Sequence, residues 1–193
     1  GLEGSITVRI GAATTVTGVA TTRGIEFYDT NHNGQLDHCT IFFNAPLRDT
    51  NNIPENAIGT ACPITAFTVD GYTITGTPLA NFDAGGVGIR NGGAYGVTLT
   101  LTELSTPDTG TKPNVTYNGS VGTLQDLNTP TNVGNITAGS AVEIDKARPI
   151  LLSITTVDNG VATGTTDNGN VDGIAMTFSE PVTGADVNTG LVV

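Results

Sequence analysis

The chain has 193 residues, enough for one good hydrophobic core and a smaller second unit but short for a large enzyme. Eighteen Asp and Glu stand against 7 Lys and Arg, which argues against a nucleic-acid partner, because phosphate binding needs a basic face, and makes divalent cations the natural counter-charge. Thirty-four Thr and 26 Gly, with no Trp and 1 Met, describe a surface of strands and turns rather than a helical bundle.

Taken in chain order, the first four residues lack the charged and apolar regions of a signal peptide, so either export signals were removed or the chain is an excerpt. Alternation predicts strands over 5–10, 25–28, 39–43, 64–69, 72–75 and 97–102. The same pattern predicts further strands over 115–117, 142–144, 150–156 and 173–178. The pattern is clearest in Val97-Thr98-Leu99-Thr100-Leu101-Thr102, where each second residue is apolar and Thr faces water. Gly, Asn, Asp and Pro separate these segments, and no stretch of ten or more residues keeps helical spacing. No apolar run approaches the roughly 20 residues of a membrane-crossing helix. An all-β chain follows: an antiparallel β-sandwich with Ig-like connections.

Between the second and third of these strands lies Asp29-Thr30-Asn31-His32-Asn33-Gly34-Gln35-Leu36-Asp37. Oxygen-bearing residues at positions 1, 3 and 5, Gly at 6 and a backbone carbonyl at 7 form the pattern by which an EF-hand-type loop holds calcium. Asp29, Asn31, Asn33 and Asp37 offer side-chain oxygens and Gln35 its carbonyl. Position 12 is Thr40 in place of the usual bidentate Glu, and the flanks read as strands, so the expectation is a calcium loop within a β-protein.

A shift of 135 residues then aligns Asn33-Gly34 with Asn168-Gly169, Asp37 with Asp172, Phe43 with Phe178 and Pro46 with Pro181. Self-similarity at fixed long spacing predicts tandem modules. The second copy carries six extra residues between Asp158 and Asn168, and Asp158, Asp167 and Asp172 are its candidate ligands. The polar stretch Asp145 to Pro149 reads as the junction, where Asp126 and Asp145 are expected to complete a cation site that stiffens the linker. The predicted organisation is therefore residues 1–18 as an N-terminal strand segment, 19–148 as one Ig-like module and 149–193 as a second, incomplete one. Two or three strands cannot close a sandwich alone. Strand donation by Ser5-Ile6-Thr7-Val8-Arg9-Ile10 of another copy is one way to complete it.

Cys39 and Cys62 are the only cysteines, each at the edge of an apolar segment. A disulfide between them would stabilise the fold by about 3 kcal/mol and imply an oxidising compartment; two buried free thiols are the alternative. Asn114, Asn118 and Asn135 each begin an Asn-x-Ser/Thr sequon and are candidate glycosylation sites.

The segment Asp167-Asn168-Gly169-Asn170-Val171-Asp172-Gly173-Ile174, followed by Met176-Thr177-Phe178-Ser179-Glu180-Pro181-Val182, resembles the tandem Ig-like repeats of bacterial and archaeal surface proteins. Pro107-Asp108-Thr109-Gly110, Pro113 to Tyr117, Leu124-Gln125-Asp126-Leu127 and the Asp145 to Pro149 junction belong to the same likeness. The first copy departs from it with Asn44-Ala45-Pro46 where the second has Ser179-Glu180-Pro181. What the resemblance implies is an extracellular, cell-surface building block of adhesins, surface layers or filaments, with calcium near module junctions.

Catalytic patterns are weak. There is no Gly-x-Ser-x-Gly elbow and no His-Glu-x-x-His helix, and the dispersed Glu residues form no acid and base couple. His32, His38 and Cys39 read as loop and strand residues rather than a zinc site. The sequence thus predicts a non-enzymatic structural protein whose partners are copies of itself or adjoining modules. The alternative is a carbohydrate- or receptor-binding module using loop residues 83–93.

Overall fold

A computed structural model describes residues 21–49, 62–81, 94–127, 131–158 and 169–183. Its strands are β1 (Thr21–Tyr28), β2 (His38–Asp49), β3 (Phe67–Val69), β4 (Ile74–Asn81) and β5 (Ala94–Leu101). They continue as β6 (Val115–Tyr117), β7 (Leu124–Asp126), β8 (Glu143–Asp145), β9 (Leu151–Val157) and β10 (Gly173–Phe178). The protein is all-β. Among the described residues the one helical element is the three-residue turn Ile64–Ala66, at the start of a segment predicted as strand.

Alternation explains the main sheet. Ile25 and Phe27 on β1, Cys39, Ile41 and Phe43 on β2, and Val97, Leu99 and Leu101 on β5 are all 3% exposed or less. They occupy every second position, so they share one face of the pleat. The sheet runs β4-β5-β2-β1-β8, with β7 pairing β2 off this path. β1 and β2 are antiparallel, with Tyr28 opposite His38 and Phe27 opposite Cys39. β5 is antiparallel to β2, and β8 is parallel to β1 with Asp145 opposite Phe27.

β2 changes partner partway. Its register breaks between Phe42 and Leu47, across Asn44-Ala45-Pro46, and its last residues Leu47 to Asp49 pair with β7. Pro46 has no N–H for a ladder, which is why proline in a sheet falls at such irregularities. Its carbonyl still accepts the N–H of Leu127 at 2.8 Å.

A second, two-stranded sheet pairs β3 with β6, Phe67 opposite Tyr117 and Val69 opposite Val115. These four residues belong to the same buried cluster as the β1, β2 and β5 residues, so the two sheets share a core. Phe67 and Tyr117 meet with ring centroids 5.0 Å apart, and the Tyr117 hydroxyl accepts the N–H of Leu124 at 3.2 Å. A Cβ at Gly122 would lie 2.1 Å from that hydroxyl, so this position requires glycine.

β9 and β10 form a separate two-stranded sheet. Leu151 and Leu152 are each 42% exposed and Ile154 is 57% exposed, so this hairpin builds no core of its own among the described residues. Two strands alone are marginal in water. The predicted N-terminal strand over 5–10 and the loop 83–93 lie outside the described residues.

Candidate cation loop and its repeat

The loop between β1 and β2 is closed at its base by the N–H of Asp37 on the carbonyl of Tyr28, at 3.0 Å. His32, with φ 60°, and Gly34, with φ 92°, take left-handed backbone that lets the chain fold back over Asp29. Asp29 is 4% exposed, and its two carboxylate oxygens accept the N–H groups of Asn33 at 3.2 Å and Gly34 at 2.8 Å. The Asn31 Oδ1 accepts the N–H of Asn33 at 3.1 Å, and the Asn33 Oδ1 that of Gln35 at 2.9 Å. Side-chain oxygens at alternate positions thus turn toward the loop's own backbone. Carboxylate oxygens have more than one acceptor direction each, so Asp29 keeps capacity for a cation.

Asp37 has a different set of partners. Its carboxylate accepts the backbone N–H and the hydroxyl of Thr30, and faces the His38 Nδ1 at 2.8 Å. Burial pushes its pKa upward, but these donors from Thr30 and His38 outweigh that and hold it below the usual value of 3.8. The Asp37 carboxylate therefore holds the loop shut. Thr40 is 2% exposed and its hydroxyl pairs with that of Thr98 at 2.9 Å, so a twelfth ligand does not come from there.

Residues from the β5–β6 and β3–β4 connections grip the loop from outside. The Asp108 Oδ1 accepts the N–H of Leu36 at 2.7 Å, its other oxygen accepts the Tyr72 hydroxyl, and its own N–H donates to the Gly34 carbonyl at 2.9 Å. Burial, then the neighbouring Asp108 carboxylate, push the Tyr72 phenol up to about 12, keeping it a hydrogen-bond donor. Glu103 accepts the Asn31 Nδ2 at 2.6 Å, which leaves the Asn31 Oδ1 facing inward. Sequence reasoning noted Asp108 only within a resembling motif and did not give it this role. The available signal was the Pro-Asp-Thr-Gly turn, since Asp in such turns seeks backbone N–H groups.

The second hairpin repeats this geometry. The Asp158 Oδ2 accepts the N–H of Gly169 at 2.8 Å, as the Asp29 Oδ2 accepts that of Gly34 at the same distance. The N–H of Asp172 meets the carbonyl of Val157 at 2.8 Å, as that of Asp37 meets Tyr28. Gly169 has φ 82°, and Gly173 lies opposite Val157 as His38 lies opposite Tyr28. Asp158 and Asp172 are thus the structural counterparts of Asp29 and Asp37, and among the described residues the buried Asp158 Oδ1 has no hydrogen-bond partner. Asp167 lies outside the described residues.

The two junction residues are not brought together. Asp145 ends β8 opposite Phe27, near the loop end of the sheet, and its Oδ1 accepts the N–H of Ala147 at 2.9 Å. Asp126 pairs with Leu47, toward the far end of β2. Because β7 joins β2 beyond its break in register, Asp126 and Asp145 fall toward opposite ends of the sheet, and the expected joint site is not formed by this pair. Glu180 is the carboxyl that meets Asp145. Among the described residues no group of three or more His, Cys, Asp or Glu is placed to hold a metal; the first loop combines two carboxylates with amide oxygens.

Cys39 and Cys62 are both buried within the shared core and are not joined by a disulfide, and burial pushes the Cys39 thiol up to about 12. Asn114, Asn118 and Asn135 are exposed; Asn114 donates to Asp70 at 3.1 Å, while Asn118 and Asn135 accept the N–H groups of Ser120 and Gly119. Among the described residues no helix is long and apolar enough to cross a membrane. Comparisons with protein-family models, with curated proteins and with solved structures return no match.

Proposed function

We propose that this is a non-enzymatic, extracellular structural protein built of tandem Ig-like β-sandwich modules, stiffened by calcium and assembled into a fibre, surface layer or adhesin stalk. The observation that carries the reading is the recurrence of one hairpin. β1 and β2 enclose the Asp29 loop, and β9 and β10 enclose the Asp158 loop with the same carboxylate-to-glycine bond and the same closing bond. Repetition of one unit favours a load-bearing array over a catalyst.

The Ig-like part of the reading is supported by strand order. β1-β2-β5-β4 follows the order of strands A, B, E and D in a constant-type sandwich, and β3 with β6 corresponds to C with F on the facing sheet. Calcium is supported by the oxygen pattern of Asp29, Asn31, Asn33 and Gln35 in a chain of net charge -11. The exposed apolar residues of β9 fit a hairpin that takes further strands from a copy of the chain or an adjoining module, strand exchange being one route. A calcium titration followed by light scattering tests the reading: calcium uptake with growth of scattering is expected, and an unchanged monomer at millimolar calcium would count against it.

A further inference from the structure

We propose that Ser179 and Glu180 fix the seating of the β9–β10 hairpin on the first module, and that the 107–110 turn is their receiving surface. This rests on reading β9 and β10 as the entry to a second module. The Ser179 Oγ accepts the Thr109 hydroxyl at 2.7 Å and the N–H of Ile150 at 2.8 Å, while its own N–H donates to the Ile150 carbonyl at 2.9 Å. One serine thereby joins the root of β9, the end of β10 and a threonine that is 0% exposed.

Gly110 permits the closest approach, and Gly34 lies within ordinary contact range of the same hairpin. A Cβ on Gly110 would lie 3.0 Å from the Glu180 Cβ and 3.8 Å from the Pro181 Cδ. A Cβ on Gly34 would lie 3.5 Å from the Ser179 Cβ and 3.7 Å from the Leu152 Cδ2. The Asp29 loop and the hairpin thus rest against each other directly. Glu180 also reaches Thr109 and Asp145.

The two repeats differ at these positions. The 135-residue shift that aligns Pro46 with Pro181 places Asn44 at the position of Ser179 and Ala45 at that of Glu180. Asn44 is exposed, and Ala45 packs on the first module's own core. Both copies keep the proline, Pro46 and Pro181, while the two residues before it differ. The contact therefore has polarity: the first module presents the Pro107-Asp108-Thr109-Gly110 turn, and the following hairpin presents Ser-Glu. Ser179 and Glu180 are specificity-determining residues for module order.

Residual dipolar couplings of the full chain test this. In the wild type, one alignment tensor fits the amides of β1, β2 and β5 together with those of β9 and β10. The double variant S179N/E180A imports the first copy's residues at positions that are not fully buried, and Thr109→Val removes only a donor hydroxyl while leaving the hairpin's sequence intact. Either variant is expected to shrink the hairpin's couplings and detach them from the common tensor, with the first-sheet couplings retained. A common tensor that persists in S179N/E180A, or a wild-type hairpin that already needs its own tensor, overturns the proposal. The readout needs neither calcium nor polymer, so it stands or falls separately from the fibre reading.

Discussion

Asp108 holds Leu36 across 72 residues of sequence: its Oδ1 accepts the Leu36 N–H at 2.7 Å while its own N–H donates to the Gly34 carbonyl at 2.9 Å. The 107–111 turn and the Asp29 loop are consequently one hydrogen-bonded unit, with the Tyr72 hydroxyl bound to the other Asp108 oxygen.

Asp108→Ala would leave the buried N–H of Leu36 without an acceptor and the Tyr72 hydroxyl without its carboxylate. A loss of about 3 kcal/mol is expected, because removing one partner of a buried charged hydrogen bond leaves a desolvated donor. Urea unfolding should show a lower midpoint with an unchanged slope. An unchanged midpoint would show that the clamp adds nothing to stability.

Gly34→Ala tests the loop backbone rather than its packing. The new methyl meets the Ser179 Cβ at 3.5 Å, ordinary contact, so the cost comes from holding alanine at φ 92°. A penalty of roughly 1–2 kcal/mol is expected for a left-handed non-glycine residue. Thermal unfolding reads it, and a variant as stable as the wild type would show that the loop relaxes freely.

Asp37 makes the fold sensitive to acid. Its native pKa lies below 3.8, so its contribution to stability is fully present above the unfolded value and is lost as pH falls through the lower native value. Asp37→Asn should be less stable than the wild type near neutrality, and the difference should close as pH falls below 3.8. Chemical unfolding measured from neutral to acidic pH gives this difference. A gap that stays constant with pH would contradict the assignment.

The cysteines give a redox prediction. Cys39 and Cys62 are buried and not joined by a disulfide, so a thiol reagent should label the native protein slowly and the unfolded protein rapidly, and a reductant should leave the thermal midpoint unchanged. A reductant that lowers the midpoint by several degrees would establish the disulfide expected from the sequence instead.

How much of this was legible in the sequence depended on whether the signal was local. Period-two alternation located β5 and the inward faces of β1 and β2, because a strand half-buried in a sheet must repeat its apolar residues at every second position. The extension of β4 to Asn81 and the existence of β7 were not predicted, since Gly76-Thr77-Pro78 breaks the pattern in the first and the second has three residues that pair only after β2 changes partner. In the loop, the alternate oxygens of Asp29, Asn31 and Asn33 are visible in the spacing, and the structure turns them onto the loop's own backbone N–H groups. The commitment of Asp37 to Thr30 and His38, and the clamp from Asp108, depend on tertiary contacts that one-dimensional spacing does not encode. Asp126 and Asp145 are paired in the sequence as carboxylates clustered at a linker; the break at Asn44-Ala45-Pro46 sends their strands to different parts of the sheet.

The most direct test of the calcium-stiffened polymer is negative-stain electron microscopy of the purified chain in millimolar calcium, repeated after chelation and with Asp29→Ala. Regular fibres that loosen on chelation, and that Asp29→Ala fails to form in calcium, are the predicted result. Isolated monomers under all three conditions, or fibres indifferent to both chelation and the substitution, would contradict it.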